Sequence, residues 1–215
     1  MTELLSGYNK NTQELVFRVY AEALPVTEKR QKHKDAHMAA LDLLGAALAK
    51  DFRVRHAVIR RVGLGKPKLI HDFLHINLSH CKGLAVAAAG TVPLGVDAEV
   101  PRTVRESLLA KVCTAEEIAQ IRASDDENRM FARFWTLKES YAKYTGEGIG
   151  LDFAKLAFSF SGADAIGFRH PAAEQVQFFQ ILTGDMIPVS LCCQNEISLN
   201  TDLPDGSRLL RSRCE

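Results

Sequence analysis

The segment that most constrains the fold is DDENRMFARFWTLKESYAKYTGEG, residues 125–148. Its aromatic residues recur at helical spacing and two glycines close it, which predicts one long helix with an apolar face. The residues concerned are Phe131, Phe134, Trp135, Tyr141, Gly146 and Gly148. Such a face needs a partner layer, and a chain of 215 residues that is 47% hydrophobic and 25% charged can supply a packed core.

Helical and strand patterns alternate along the whole chain, which predicts the α+β class. QELVFRVY, HAVIRRVG and FLHINLSHCKGLAVAAAG read as strands before the segment TVPLG, and a basic helix lies between the first two. Strand candidates then follow the aromatic helix in the second part. We therefore expect an amino-terminal half over residues 1–92, a carboxy-terminal half over 93–199, and a loose tail over 200–215.

Charge and cysteine content exclude several classes of protein. Residues 1–70 hold 13 Lys and Arg against 7 Asp and Glu, and the rest hold 14 against 19, so +6 and −5 give the net +1. The basic part suits an anionic ligand and the acidic part suits a metal. Five cysteines without CxxC spacing predict free thiols. No apolar run reaches the length of a membrane span, so we expect a cytoplasmic protein without membrane or nucleic-acid partners.

The stretch GVDAEV places two carboxylates, Asp97 and Glu99, one residue apart. In an extended segment they leave the same face, with backbones roughly 7 Å apart. This spacing is compatible with a solvated edge strand, and also with a cation held between the two side chains. The second interpretation requires a third oxygen ligand elsewhere in the chain.

The aromatic helix offers that ligand. Trp135, Glu139 and Lys143 follow one another at intervals of four residues and so form one stripe. Taken alone, Glu139 and Lys143 would be a surface ion pair worth about 0.3 to 0.5 kcal/mol. The two residues also follow GVDAEV by about forty residues, and this combination of segments favours a functional role over a surface ion pair.

Four blocks in order, GKP, NLSHCKG, GVDAE and FWTLKESYAKYTGEGIGL, resemble the signature of the Sfp-type 4′-phosphopantetheinyl transferases over about residues 63–151. The resemblance implies two α+β halves related by a pseudo-two-fold axis. It implies transfer of the 4′-phosphopantetheine arm of coenzyme A to a serine of an acyl, aryl or peptidyl carrier protein, in fatty acid, polyketide or nonribosomal peptide biosynthesis. Adenosine 3′,5′-bisphosphate is the other product, and a monomer is expected.

The resemblance assigns a magnesium ion to Asp97, Glu99 and Glu139. Three converging carboxylates repel one another unless a cation is bound, and Mg²⁺ prefers such oxygen ligands. The resemblance also makes Lys143 a catalytic residue that neutralises or protonates the leaving bisphosphate. Glu116 matches a glutamate that part of the family is proposed to use as general base, although Glu117 is adjacent and the alignment can slip by one residue.

The resemblance also assigns a set of residues to coenzyme binding. These residues are Lys34, Gly65, Lys66, Pro67, Ser79, His80 and Lys143. His80 and Lys66 would face phosphates, and Pro67 would fix the turn. The first helix aligns with that of the family only if an insertion is allowed, so His33 and His37 are alternatives to Lys34 as coenzyme-binding residues. Two other functions remain open: a coenzyme-binding module without turnover, and an unrelated Mg²⁺-dependent phosphohydrolase.

Overall fold

Two large β-sheets organise the chain. The computed structural model describes residues 1–25, 33–61, 67–70, 73–162, 165–200 and 203–212. One sheet has five strands in the order β12-β1-β2-β6-β5, all antiparallel, and the other has six in the order β7-β11-β10-β13-β9-β8, antiparallel except for β13 with β9. The bounds of the strands and helices, in chain order, are β1 Thr2–Asn9, β2 Leu15–Ala23, α1 His33–Asp51, β3 Ile59–Arg61, β4 Pro67–Leu69, β5 His75–Cys81, β6 Leu84–Gly90, β7 Leu94–Ala98, α2 Glu106–Val112, α3 Ala115–Arg122, α4 Glu127–Thr145, β8 Ala157–Ser161, β9 Ala165–Arg169, β10 Val176–Leu182, β11 Pro188–Gln194, β12 Ile197–Asn200 and β13 Arg208–Ser212.

Both sheets contain the same four-element unit. In the first, β2 leads through α1 to the hairpin β5–β6, and the strand order is β2-β6-β5. In the second, β7 leads through α4 to the hairpin β10–β11, and the order is β7-β11-β10. Each helix packs on its own unit, α1 on β6 and β5, and α4 on β7 and β11. This repetition matches the expected pair of similar α+β halves.

The side chains that alternate along the strands define four layers. Val86 and Ala88 of β6 join a core with Phe179 of β10, between the two sheets. The intervening Ala87 of β6 faces α1 on the other side, and Phe178 of β10 faces α4. The order of layers is therefore helix, sheet, sheet, helix.

The carboxy terminus differs from the sequence prediction. Residues 208–212 were expected in a loose tail, but they form β13, which inserts between β10 and β9. Leu210 supplies the buried apolar contact that fixes this strand. The strand β12 also leaves the second half and pairs with β1 of the five-stranded sheet. The division near residue 92 remains a prediction, and the chain crosses that division again at β12.

A buried ion pair fastens α3 to α4. Lys138 and Glu117 are both 0% exposed, and the Lys138 Nζ lies 2.8 Å from Glu117 Oε2. Lys138 also donates to the carbonyls of Phe153 and Leu156 at 2.8 and 2.7 Å, while Glu117 accepts from the backbone N–H of Phe158. Burial lowers the pKa of Lys138, and the charge of Glu117 opposes that effect.

We expect Lys138→Ala to destabilise the protein severely, because it leaves the Glu117 carboxylate buried without its cation. Breaking one partner of a buried pair costs about 3 to 5 kcal/mol. Lys155→Ala is the matched control, since Lys155 is 79% exposed in its ion pair with Asp152. Urea unfolding followed by circular dichroism measures both. Equal and small losses in the free energy of unfolding of the two variants would show that the buried pair contributes no more to stability than the exposed pair.

Candidate active site at the junction of the two sheets

The edge strand of each large sheet meets the other through side chains. Asn77 and Ser79 lie at alternate positions of β5, and both are buried. The Asn77 Oδ1 accepts from the Val96 backbone N–H at 2.9 Å, and the Ser79 Oγ accepts from the Ala98 N–H at 3.1 Å. Side chains of one sheet thus satisfy the edge amides of β7 in the other.

Helix α4 approaches β7 unusually closely at Gly95. A Cβ added there would overlap the carbonyl oxygen of Ser140 and the amide nitrogen of Tyr144. Only glycine permits this contact between backbones. The close approach brings the Glu139 and Lys143 stripe of α4 beside Asp97.

Lys143 ties α4 to both edge strands. Its Nζ donates to Asp97 Oδ1 at 2.8 Å, to the Val96 carbonyl at 3.0 Å and to the Leu78 carbonyl at 3.3 Å. An ammonium group has three donors, and these three acceptors use all of them. Lys143 therefore holds the junction together, and a phosphate would have to displace one of these bonds to reach it.

The three predicted metal ligands line one cleft at this junction, together with four of the predicted coenzyme residues, Pro67, Ser79, His80 and Lys143. The cleft has a volume of about 440 Å³. Its walls come from α1, β4, β5, β7 and α4. The lining residues are His37, Pro67, Leu78, Ser79, His80, Asp97, Ala98, Glu99, Trp135, Glu139 and Lys143.

The carboxylates of the cleft influence one another. Burial, and then the charge of Asp97, raises the pKa of Glu139, while Lys143 lowers it. Burial also raises the pKa of Glu99, against the lowering effect of Arg102 at 3.8 Å and with a further rise from Asp97. The same surroundings raise the pKa of the Cys81 thiol to about 12, so this thiol is inert at neutral pH.

This donor set fits a hard divalent cation. The charge that a cation brings would offset both the burial and the mutual repulsion that raise the pKa values of Glu99 and Glu139. Among the described residues, no three or more Asp, Glu, His or Cys side chains are already arranged as a metal site. At Asp97 the Lys143 ammonium takes one of the two carboxylate oxygens instead.

Two histidines occupy the coenzyme side of the cleft. The His80 ring on β5 lies 5.7 Å from that of His37 on α1, edge to face. The sequence offers His33, Lys34 and His37 as alternatives on the first helix; His37 lines the cleft, and the side chains of His33 and Lys34 lie outside the part of the chain that the structure describes. The backbone of Lys34 lies in the first turn of α1.

Only the last residue of the turn GKP, Pro67, belongs to the part of the chain that the structure describes. Pro67 begins β4 and lines the cleft, and its part in coenzyme binding stays a prediction. The predicted coenzyme residues Gly65 and Lys66 lie outside the described residues.

Glu116 lies apart from the other predicted site residues. It lines a second and larger concavity, of about 960 Å³, bounded by α3, β8 and β9. Its side chain is 67% exposed, with Arg169 at 4.0 Å. Hydrogen bonds from its own backbone amide and from Thr114 lower its pKa, which weakens it as a base. Glu117, the other candidate in the slipped alignment, is fully buried against Lys138.

Sequence reasoning missed Asn77 and underestimated Trp135. Asn77 shares a strand face with Ser79, and this alternation is the signal that could have found it. Trp135 packs against Phe131 and Phe153, and it also forms a wall of the cleft.

Part of the chain is similar to a known protein superfamily. A sequence profile described as "4'-phosphopantetheinyl transferase superfamily" matches residues 93–192, which include Asp97, Glu99, Glu139 and Lys143. Residues 93–192 are thus similar to the 4′-phosphopantetheinyl transferase superfamily. No helix in the described parts of the chain is long and apolar enough to cross a membrane.

The chain is also similar to three named 4′-phosphopantetheinyl transferases. It is 30% identical to ffp of Bacillus subtilis and 28% identical to Sfp of Bacillus subtilis strain 168, each over 138 residues. Both alignments cover 58% of this chain and 61% of the relative. It is 39% identical to HetI of Nostoc sp. over 94 residues, 40% of each chain. The chain thus spans less than two thirds of the length of these relatives.

We expect Glu139→Gln to stabilise the metal-free protein near pH 7. Because the folded-state pKa of Glu139 is raised, its contribution to stability is fully present below the unfolded pKa of about 4.3 and is lost as the pH rises through the folded pKa. The neutral amide avoids that loss, so the melting temperature should rise at pH 7 and not at pH 4.

The control for this prediction is Glu147→Gln, an exposed position just after α4 that removes one carboxylate outside the cleft. Both proteins are melted in the presence of a chelator. A melting temperature of Glu139→Gln that stays at or below that of Glu147→Gln at pH 7 would contradict the electrostatic account of the cleft.

Proposed function

We propose that this chain transfers the 4′-phosphopantetheine arm of coenzyme A to a serine of an apo carrier protein, and that Mg²⁺ is required. The observation that carries the proposal is the cleft in which three carboxylates, one from β7, one from the residue after it and one from α4, meet two histidines from β5 and α1. A site with anionic ligands on one side and cationic or donor groups on the other suits a pyrophosphate bound through a cation.

The reaction is a displacement at the phosphorus that carries the pantetheine arm. The serine oxygen of the carrier forms a new P–O bond, and the bond to the bridging oxygen of the pyrophosphate breaks. The serine releases its proton to water, and adenosine 3′,5′-bisphosphate leaves with the electron pair. Negative charge therefore grows on the leaving phosphate, and stabilising that charge is the main task of the site.

The protein side chains divide this task. Asp97, Glu99 and Glu139 would hold the cation, which supplies charge neutralisation when it is bound. His80 and His37 offer ring N–H donors to phosphate oxygens, and Pro67 shapes the wall beside them. Lys143 places a fixed positive charge at the floor of the cleft while it holds Asp97 in place.

The same geometry bears on assembly and on the partner. All three carboxylates and both histidines belong to one chain, and the two sheets contribute to the same cleft. We propose a cytoplasmic monomer that accepts acyl, aryl or peptidyl carrier proteins of fatty acid, polyketide or peptide biosynthesis. Nucleic acid and membrane have no part in the proposal.

The test is mass spectrometry of an apo carrier protein after incubation with this chain, coenzyme A and Mg²⁺. We expect the carrier to gain the mass of one phosphopantetheine arm. Asp97→Asn, Glu99→Gln and Glu139→Gln should each lose most of the transfer, because each removes a ligand of a hard cation. Release of bisphosphate without a change in carrier mass would indicate a phosphohydrolase, and binding of coenzyme A without either product would indicate a non-catalytic module.

Glu116→Gln tests the general-base assignment separately. Because Glu116 is exposed, has a lowered pKa and lines the other concavity, we expect the variant to keep wild-type turnover from pH 6 to pH 9. Removing a general base would instead lower turnover by about 10² to 10⁴. A loss of that size with unchanged Mg²⁺ dependence would restore Glu116 as the base.

A further inference from the structure

Ser79 occupies a position that the coenzyme-binding assignment does not explain. It is 6% exposed on β5, and its Oγ donates to Asp97 Oδ1 at 2.8 Å. The same oxygen accepts from the Ala98 backbone N–H at 3.1 Å. The hydroxyl is therefore already placed between a strand edge and a carboxylate.

The number of protons on the hydroxyl decides what it can do. A serine side chain has one O–H donor, and here that donor is used on Asp97. A phosphate oxygen needs a donor, so Ser79 could serve it only by leaving the Asp97 carboxylate. The neighbouring His80 lines the cleft and has ring nitrogens that can supply that donor.

The two groups that hold Asp97 use the same carboxylate oxygen. Ser79 Oγ and Lys143 Nζ both lie 2.8 Å from Oδ1. Neither hydrogen bond involves Oδ2. Two donors on one oxygen fix the rotation of the carboxylate and leave its second oxygen available as a ligand.

We propose that Ser79 is a positioning residue that presents Asp97 to the cation and does not bind the coenzyme. This inference rests on the proposed function, since it assumes the cation site. Partners that orient a ligand from behind typically contribute about 10- to 100-fold to metal affinity. Asn77 has a different role. It accepts the equivalent hydrogen bond from the backbone of β7, but among the described hydrogen bonds it has none to Asp97.

The experiment compares four variants with the wild type. Ser79→Ala removes the hydroxyl, Ser79→Thr keeps it, Asn77→Ala breaks the other backbone bond to β7, and His80→Ala removes the proposed phosphate donor. Electron paramagnetic resonance of free Mn²⁺ at saturating coenzyme A, without carrier protein, gives the metal affinity. Calorimetric titration with coenzyme A at saturating Mn²⁺ gives the coenzyme affinity, and thermal melting confirms folding.

We expect Ser79→Ala to weaken Mn²⁺ binding by about tenfold or more and to keep the wild-type coenzyme affinity. Ser79→Thr and Asn77→Ala should bind Mn²⁺ as the wild type does, and His80→Ala should lose coenzyme affinity only. An unchanged Mn²⁺ affinity in Ser79→Ala would overturn the inference, and so would an equal loss of Mn²⁺ affinity in Asn77→Ala. Neither result would contradict the cation site of the wild-type protein. A wild-type protein that fails to bind Mn²⁺ would overturn the cation site of the proposed function and this inference with it.

Discussion

The site depends on the way in which two β-sheets meet without sharing a ladder. The edge amides of β7 at Val96 and Ala98 are satisfied by the side chains of Asn77 and Ser79, and the Val96 carbonyl by Lys143. Buried backbone groups left without partners would cost stability. The chain therefore closes the junction with polar side chains, and two of those side chains also hold Asp97.

The far edge of the six-stranded sheet is closed in a similar way. Glu117 and Gln120 of α3 accept from the Phe158 and Phe160 amides of β8. Lys138 neutralises Glu117 there, as Lys143 neutralises Asp97 at the opposite edge. The two lysines of α4 thus have parallel roles, and of the two Lys143 lines the cleft with the three carboxylates.

Much of this arrangement was predictable from the sequence, and the limits have physical causes. The helical spacing of the aromatic residues and the closing glycine predicted α4, which carries Glu139. The order of the motifs indicated the resemblance to the 4′-phosphopantetheinyl transferases. The prediction of a loose tail is wrong for residues 208–212, because β13 has only five residues and its two leucines, Leu209 and Leu210, are adjacent, so the apolar and polar residues do not alternate. The segment NLSH does not show that Ser79 donates its proton to Asp97, since Asp97 belongs to β7 and lies 18 residues further along the chain.

Amide hydrogen exchange measured by NMR tests the account of the junction most directly. The account predicts that the Val96 and Ala98 amides of the wild type exchange slowly although they lie on a sheet edge, because side chains bond them. Asn77→Ala should speed the exchange of Val96 more than that of Ala98, and Ser79→Ala should do the reverse. Fast exchange of both amides in the wild type would contradict the claim that side chains join the two sheets.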